Sequence, residues 1–256
     1  TGAVCMAATG ALRAGAGLVR AVVPASLNGI LEAKLTEAMT IPAAETESGT
    51  LASGATDAIL GIRDDWDALV LGPGFGRHPA SDRLAADLVA RWTGPLLVDA
   101  DALNALAAVG IPRIAKRRPA PVFTPHPGEM ARLTGDPIDR ILEDPVHAAR
   151  ELAIRRRVVL LLKGTPTVIA APDGTVRVSG AGNPALATGG TGDVLSGIIG
   201  TLLAQGVDPA EAAACGAWLH GRSAEMQAEG LAERDLTPVE VADGLTAVWG
   251  RLDRSG

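Results

Sequence analysis

The run Val158-Val159-Leu160-Leu161-Leu162 holds no polar residue and stops abruptly at Lys163-Gly164. A strand with one wet face alternates apolar and polar side chains, so a strand apolar on both faces belongs inside a sheet covered on both sides. Sheets of that kind are parallel and carry helices on each face, which sets the class as α/β before any other residue is read.

The rest of the chain keeps that rhythm. Residues 3–15 have helical composition and lead through Gly15-Ala16-Gly17 into a strand at Leu18–Val23, closed by Pro24. A second short strand is predicted over Glu37–Pro42, and the Glu/Thr/Ser/Gly mixture of Ala44–Gly54 reads as an exposed loop. Ala68-Leu69-Val70-Leu71 is a buried-type strand broken by Gly72-Pro73-Gly74-Phe75-Gly76, with a helix over about 79–92. Pro95–Asp99 precedes a helix across Leu103–Val109, and Pro121–Thr124 precedes Pro125-His126-Pro127-Gly128-Glu129 and a short helix. A helix from Pro145 to Arg157 feeds the apolar run. Beyond it, Thr167–Ala171 and Thr175–Val178 flank Pro172-Asp173-Gly174, a hairpin signal that adds an antiparallel edge. Helices near 194–205, 209–229 and 238–252 finish the chain. No repeat, low-complexity tract or linker divides it, so residues 1–256 read as one domain.

Composition narrows the function. With 47% hydrophobic residues, no tyrosine and two phenylalanines, the core must be built from Ala, Val, Leu and Ile, and aromatic platforms for bases are excluded. A net charge of -6 argues against a nucleic-acid partner. Cys5 and Cys215 lack metal or redox spacing and read as inert packing residues, in keeping with a reducing cytoplasm. No apolar run is long enough for a membrane span, and the chain reads as soluble and cytoplasmic. It opens at Thr1-Gly2-Ala3, already inside a turn and helix, so its start reads as processed, truncated or cut from a longer polypeptide.

In open parallel sheets ligands sit beyond the carboxyl ends of the strands. Here the unusual polar and glycine-rich elements all follow strands: Gly72–Gly76, Asp99–Asn104, Thr124–Glu129 and Lys163–Thr167. They are expected to face one cleft. A fifth element, Asn183 to Thr188-Gly189-Gly190-Thr191-Gly192-Asp193, runs into an apolar-faced helix through Val194/Leu195, Ile198/Ile199 and Leu202/Leu203. Its glycines clear side chains from the turn, so backbone N–H groups can converge on phosphate. Asp193 at that mouth either takes a proton from an attacking hydroxyl or caps the helix.

These five segments together resemble the ADP-dependent NAD(P)H-hydrate dehydratases of the ribokinase-like superfamily, over almost the whole chain. The glycine turn is shared across that superfamily, whereas Thr124-Pro125-His126-Pro127-Gly128-Glu129 is the more discriminating segment. In ATP-using eukaryotic relatives it usually lacks the histidine. The resemblance implies a ribokinase-like three-layer α/β/α fold with a mostly parallel central sheet and an antiparallel hairpin at one edge. It implies ADP-dependent dehydration of the S epimer of hydrated NADH or NADPH, restoring NAD(P)H with release of AMP and phosphate, with Mg2+ bridging phosphate oxygens mostly through water and no protein metal ligand assigned. By the same likeness Asp193 is the catalytic base, and Lys163, Gly164, Thr165, Pro166, Thr167, Asn183, Thr188, Gly189, Gly190, Thr191 and Gly192 bind the nucleotide. Ala3, Gly74, His126 and Asp193 then contact the hydrate, and the N–H groups of Gly190, Thr191 and Gly192 stabilise the transferring phosphoryl group.

Read as residues alone, several of these positions have plainer alternatives. Lys163 is a solvated flank or a phosphate contact; His126, between two prolines, is a loop contact rather than a helix-interior residue. His220, near Trp218, reads as packing or surface, while His78 and His147 carry no motif. Asp99 either orients metal-bound water or caps a helix. Lys116-Arg117-Arg118 and Arg155-Arg156-Arg157 read as solvated helix ends. The sequence departs from the family in lacking the strand and Gly-Ser turn with a tyrosine that normally precede Thr1-Gly2-Ala3, so a first strand is expected to be missing. Many relatives carry an epimerase domain ahead of this one, and the likeness suggests a homo-oligomer, a tetramer in the family. The competing functions are an ATP-dependent small-molecule kinase of the same superfamily and a catalytically silent nucleotide-binding domain.

Overall fold

The structure is a computed structural model that describes residues 1–114, 119–229 and 236–254. The first helix, α1 (Gly2–Arg13), leads to β1 (Arg20–Pro24), α2 (Asn28–Lys34), β2 (Met39–Ala43) and α3 (Ala55–Gly61). Then strands and helices alternate: β3 (Leu69–Leu71), α4 (Pro79–Arg91), β4 (Leu96–Val98), α5 (Ala100–Val109), β5 (Val122–Phe123), α6 (Pro127–Thr134), α7 (Ile138–Glu143), α8 (Pro145–Arg156) and β6 (Val159–Leu162). The hairpin β7 (Thr167–Ala170) and β8 (Val176–Ser179) precedes α9 (Thr191–Ala204), α10 (Pro209–Gln227), α11 (Pro238–Asp243) and α12 (Leu245–Leu252).

Strands β3, β4, β5 and β6 lie side by side and parallel, and β7 and β8 continue the sheet antiparallel. The apolar run behaves as its composition requires: all four residues of β6 are buried. One face of the sheet packs on α3 to α8 through Leu84, Leu88, Leu103, Leu106, Met130 and Leu152. The other packs on α9, α10, α11 and α12 through Val194, Ile198, Ile199, Ala213, Leu219 and Leu245, with Met6 of α1 against them. This is the three-layer α/β/α architecture expected, with the antiparallel hairpin at one edge.

Four differences from the sequence reading have physical causes. The two early strands do not join the main sheet; β1 and β2 pair in parallel with each other as a separate sheet over Val23, Leu31 and Leu35. The loop after β2 is not simply exposed: Glu45 and Leu51 form a bridge, Leu51 is buried and Thr50 Oγ1 bonds Ser81 Oγ at 2.8 Å. The predicted helix over 238–252 breaks at Gly244, where a side chain would collide with Ser223 and Gln227 of α10. Cys215 is exposed on α10 rather than a packing residue, and Cys5 is half-buried. Arg155, Arg156 and Arg157 do end α8 in solvent, while Lys116-Arg117-Arg118 lie outside the described residues.

Among the described residues, strands β1 and β3 each pair with one neighbour only, and residues of both line a single apolar cavity of about 290 Å3. Ala7, Ala8 and Ala11 of α1 and Gly197 and Gly200 of α9 form one wall, with Leu51, Ile59 and Leu88 opposite. Among the described residues no helix is long and apolar enough to cross a membrane.

Candidate active site

Parallel pairing puts the carboxyl ends of β3, β4, β5 and β6 at one edge, and backbone bonds carry the alignment past the strands. Asp99 N–H donates to Leu71 C=O at 2.9 Å, Thr124 N–H to Val98 C=O at 3.1 Å, and Lys163 N–H to Pro125 C=O at 2.8 Å. The four strand-end segments therefore share one cleft, and α9 delivers the glycine turn to it.

Asp99, Asp101 and Asn104 join these segments. Asp99 stands at the N-cap position of α5 yet makes no capping bond; its buried carboxylate accepts instead from Lys163 Nζ at 2.8 Å and Ser196 Oγ at 2.7 Å. The cap reading of Asp99 is thus corrected: pairing with a cation offsets the cost of burying its charge, which a cap alone would not. Asp101 Oδ2 accepts from the Gly76 N–H at 2.9 Å, pinning the loop after β3. Asn104 Oδ1 accepts from Arg132 Nε of α6 at 2.7 Å. At Gly72 (φ 127°) a side chain would overlap the Asp99 carbonyl, so only glycine lets that loop close on β4.

Lys163 is no solvated flank. Nζ also lies 3.8 Å from Glu129 Oε2, and a β-carbon built on Gly192 would meet Nζ at 3.5 Å. Burial disfavours its charge, but Asp99, Glu129 and Asp193 outweigh burial and raise its pKa. Gly164, Thr165 and Pro166 form the exposed turn between β6 and β7, and Thr167 Oγ1 donates to the Gly164 carbonyl at 3.0 Å.

At the glycine turn, Gly190 is the N-cap of α9, in the left-handed region at φ 101°. A side chain there would also strike Met6 and Pro238, whereas Gly189 faces open space. The cap reading of Asp193 fails with this: Asp193 sits within the first turn, and its carboxylate accepts no hydrogen bond from the described residues. Burial first, then Asp99, Asp101 and Glu129, push its pKa up to about 6 against the pull of Lys163. Thr191 differs from the sequence expectation. Its N–H donates to Thr188 C=O at 3.3 Å and its buried hydroxyl to Leu186 C=O at 2.7 Å and Thr188 C=O at 2.9 Å, so Thr191 braces the turn. The N–H groups of Gly190 and Gly192 donate to no described residue and are the ones free to face an anion. Asn183 is likewise committed, donating to Ala224 C=O at 3.0 Å and accepting from Ala185 N–H at 3.1 Å.

Ala3 and Gly74 meet across the mouth: a β-carbon on Gly74 (φ 67°) would lie 3.4 Å from the Ala3 Cβ and 3.1 Å from Val4. His126 is the N-cap of α6, its Nδ1 accepting from Gly128 N–H at 3.0 Å and Glu129 N–H at 3.3 Å, while Glu129 Oε2 accepts from His126 N–H at 2.9 Å. That capping box leaves Nε2 as the ring's outer atom, 3.5 Å from Glu129 Oε1. Burial lowers the His126 pKa, opposed by Glu129 and aided by Lys163 and Arg132, so the ring is neutral near pH 7. His78 repeats the device before Pro79, accepting from Ala80 N–H at 3.1 Å, a role its His-Pro dipeptide signals in retrospect. His220 is buried in α10, where burial takes its pKa down to about 4 against a Thr191 backbone hydrogen bond.

A family model described as NAD(P)H-hydrate dehydratase matches residues 1–245. The chain belongs to the NAD(P)H-hydrate dehydratase family. It is 46% identical over 253 residues to the bifunctional NAD(P)H-hydrate repair enzyme Nnr of Moorella thermoacetica, covering 99% of this chain and 48% of that protein. It is 39% identical over 200 residues to the ADP-dependent (S)-NAD(P)H-hydrate dehydratase of Neisseria meningitidis, covering 77% of this chain and 67% of that protein. The crystal structure of an ADP/ATP-dependent NAD(P)H-hydrate dehydratase from Bacillus subtilis, co-crystallised with ATP/Mg2+ and soaked with CoA, matches at TM-score 0.82 and 30% identity, covering 98% of this chain and 87% of that one. The chain spans about half the length of the bifunctional relatives it matches. A ribokinase-like superfamily protein from Enterococcus faecalis shares the fold at TM-score 0.79.

Among the described residues no three His, Cys, Asp or Glu side chains converge as a metal site.

Proposed function

We propose that this chain catalyses ADP-dependent dehydration of the S epimer of hydrated NADH or NADPH, yielding NAD(P)H, AMP and phosphate. The observation that carries the reading is the placement of Asp193. A carboxylate without a hydrogen-bond donor, its pKa pushed up to about 6, stands in the first turn of α9 directly after Gly192 and within the field of the Lys163 ammonium. A carboxylate at an anion site repels phosphate unless it has a task there, and a value near 6 leaves it ionised at neutral pH yet basic enough to take a proton.

In this reading Asp193 accepts the proton of the ring hydroxyl as that oxygen attacks the β-phosphorus of ADP, and AMP leaves. Phosphate then departs from the ring carbon while the neighbouring ring carbon gives up a proton to water, and the electrons of that C–H bond form the returning double bond. Charge on the transferring oxygens is met by Lys163, by the Gly190 and Gly192 N–H groups and by the positive end of α9. Gly164 to Thr167, Thr188 and Gly189 offer backbone and hydroxyl contacts to the nucleotide from the exposed turns; Asn183 and Thr191 contribute by bracing. The hydrate lies against Ala3, Gly74 and the His126 Nε2. Its partner reaction, epimerisation of the hydrate, is supplied by an epimerase joined to or acting beside this chain, and the working protein is a homo-oligomer; the names of the bifunctional relatives support the first of these.

We also infer that residues 1–256 form one domain whose sheet is completed by a strand between β1 and β3. Two unpaired edges lining one apolar cavity support it.

The test is turnover: the protein, hydrated NADH, magnesium and either ADP or ATP, followed by the return of dihydronicotinamide absorbance. Recovery with ADP supports the reading. Phosphorylation of an unrelated alcohol by ATP would replace it with a kinase, and nucleotide binding without any turnover would replace it with a silent binding domain.

A further inference from the structure

The most deeply buried charge at the cleft is Asp99, 1% exposed, and the reaction above gives it no task. Its two oxygens are divided between two elements: Oδ1 takes Lys163 Nζ from the end of β6, and Oδ2 takes Ser196 Oγ from α9. Ser196 follows Gly192 by four residues, one helical turn, so it lies on the same side of α9 as the glycine that faces Nζ. The next residue, Ala100, has φ 49°, a left-handed conformation that a β-carbon disfavours. Such strain persists only where the surroundings over-determine it, and here it turns the chain immediately after the carboxylate points inward.

We propose that Asp99 is a positioning residue: clamped by Ser196, it fixes the Lys163 ammonium beside Gly192 at the head of α9, so that the cation meets nucleotide phosphate in one place without Asp99 touching substrate. The inference rests on the reading of Lys163 and the glycine turn as the nucleotide site, though not on the identity of the second substrate. A lysine on a flexible four-carbon stem loses much rotamer freedom on meeting phosphate; one already held by a buried carboxylate has lost it beforehand. Glu129, at 3.8 Å, is too far to replace Asp99 as a hydrogen-bond acceptor.

The charge of Asp99 has a second effect that a merely structural residue would not have. Asp193 is faced by Asp99, Asp101 and Glu129, which favour its protonated form, and by Lys163, which opposes them. Removing the Asp99 charge both ends one repulsion and frees more of the Lys163 field, and the two effects act in the same direction.

The test uses Asp99→Asn, Ser196→Ala, Lys163→Met and the double variant Asp99→Asn/Lys163→Met, with ADP affinity measured by calorimetry and the pH profile of kcat measured on hydrated NADH. Asp99→Asn is expected to weaken ADP roughly 10- to 100-fold, to change the KM for hydrate less than about threefold, and to move the acid limb of kcat to lower pH. Ser196→Ala keeps the charge, so it should weaken ADP roughly three- to tenfold and leave the acid limb in place. In the Lys163→Met background, Asp99→Asn should cost ADP affinity nothing further, because its effect passes through the lysine. The double variant also removes the buried pair together, which guards against a folding failure of the single variant. Additive losses in the double variant, equal losses for ADP and hydrate, or an Asp99→Asn protein that binds ADP like the parent would each overturn the proposal, as would a parent that binds neither ADP nor ATP. A parent that binds ADP but never dehydrates the hydrate defeats the function proposed above, while the calorimetric cycle still decides the role of Asp99.

Discussion

Asp193→Asn keeps the volume of the side chain and removes only its charge, so it separates what the carboxylate does for the reaction from what it does to the fold. In the folded protein burial and three neighbouring carboxylates raise the pKa from the ordinary 3.8 to about 6. The folded state therefore holds the proton more tightly than the unfolded chain does. This group's stability contribution is complete below about 3.8 and is lost as the pH rises through about 6, so at pH 8 the ionised carboxylate weakens the fold. A rise of about two units corresponds to roughly 3 kcal/mol at full value. Because the group is partly open to solvent, screening reduces that to about 1 kcal/mol. For a domain of this size the asparagine variant should melt about 2–4 °C higher at pH 8, and the gap should narrow as the pH falls through 6. Turnover should meanwhile fall by a factor of roughly a hundred to ten thousand with ADP binding retained, the range for a lost general base. Thermal denaturation across pH 4–8 beside steady-state kinetics reads both effects. A variant that melts lower than the parent at pH 8 would return Asp193 to a structural role, and one that turns over normally would remove it from the chemistry.

Substitutions at four further positions follow from the geometry. His126→Ala should weaken hydrate binding more than ADP binding and cost about 1 kcal/mol of stability through the lost α6 cap; His126→Asn should restore the cap but not the hydrate contact, and equal weakening of both ligands would sink the assignment. Gly190→Ala meets a left-handed backbone and collides with Met6 and Pro238, so about 2–4 kcal/mol is expected in denaturant unfolding. Gly189→Ala, in open space, should stay within about 0.5 kcal/mol, and parity between the two would refute the packing account. Ala100→Gly should raise stability by about 0.5–1 kcal/mol, since relief of the left-handed strain exceeds the added entropy of the unfolded glycine; a loss of stability would show that the backbone there is relaxed.

Much of the fold was legible because its central strands are buried on both faces and write themselves as unbroken apolar runs, as in β4 and β6. Which strands pair was less so: the run at Arg20–Pro24 has the composition of a sheet strand, yet pairs only with β2, a choice made by distant packing over Leu31 and Leu35. The short helices α3 and α7 have too few turns for a periodic signal. In the site, residue types at strand ends pointed to the cleft those ends share, but not to their partners. Asp99 finds Lys163 64 residues away and Ser196 97 residues away, and Asp101 finds Gly76 across 25. Nothing local distinguishes those aspartates from helix caps. Thr191 misled for the opposite reason: its hydroxyl sits in a phosphate-type turn yet is spent on the turn's own carbonyls.

The position of the glycine turn follows from glycines elsewhere. Helix α9 is apolar on most of its surface and buried for nearly its whole length, so it could slide or rotate in its slot unless steric contacts fix it. Gly10 of α1 lies against the Val194 carbonyl, Gly197 against the backbone of Ala7 and Ala11, Gly200 against Val70 of β3, and Gly216 of α10 against Ile199. Each contact admits no β-carbon, so close approach of α1, the Val70 side chain of β3 and the backbone of α10 locks the register of α9 along its axis. Glycine inside a helix weakens it by about 1 kcal/mol relative to alanine, and α9 carries Gly197 and Gly200 within its central turns. That loss of local helix stability is offset by close approach, which sets the height of Gly192 against Lys163 and of Asp193 against Asp99 to within a fraction of a turn. A one-residue shift of α9 would rotate Asp193 by about 100° and carry it away from the cleft. The packing glycines in the middle of the chain's last layer are therefore as much a condition of the proposed chemistry as the glycines of the turn itself.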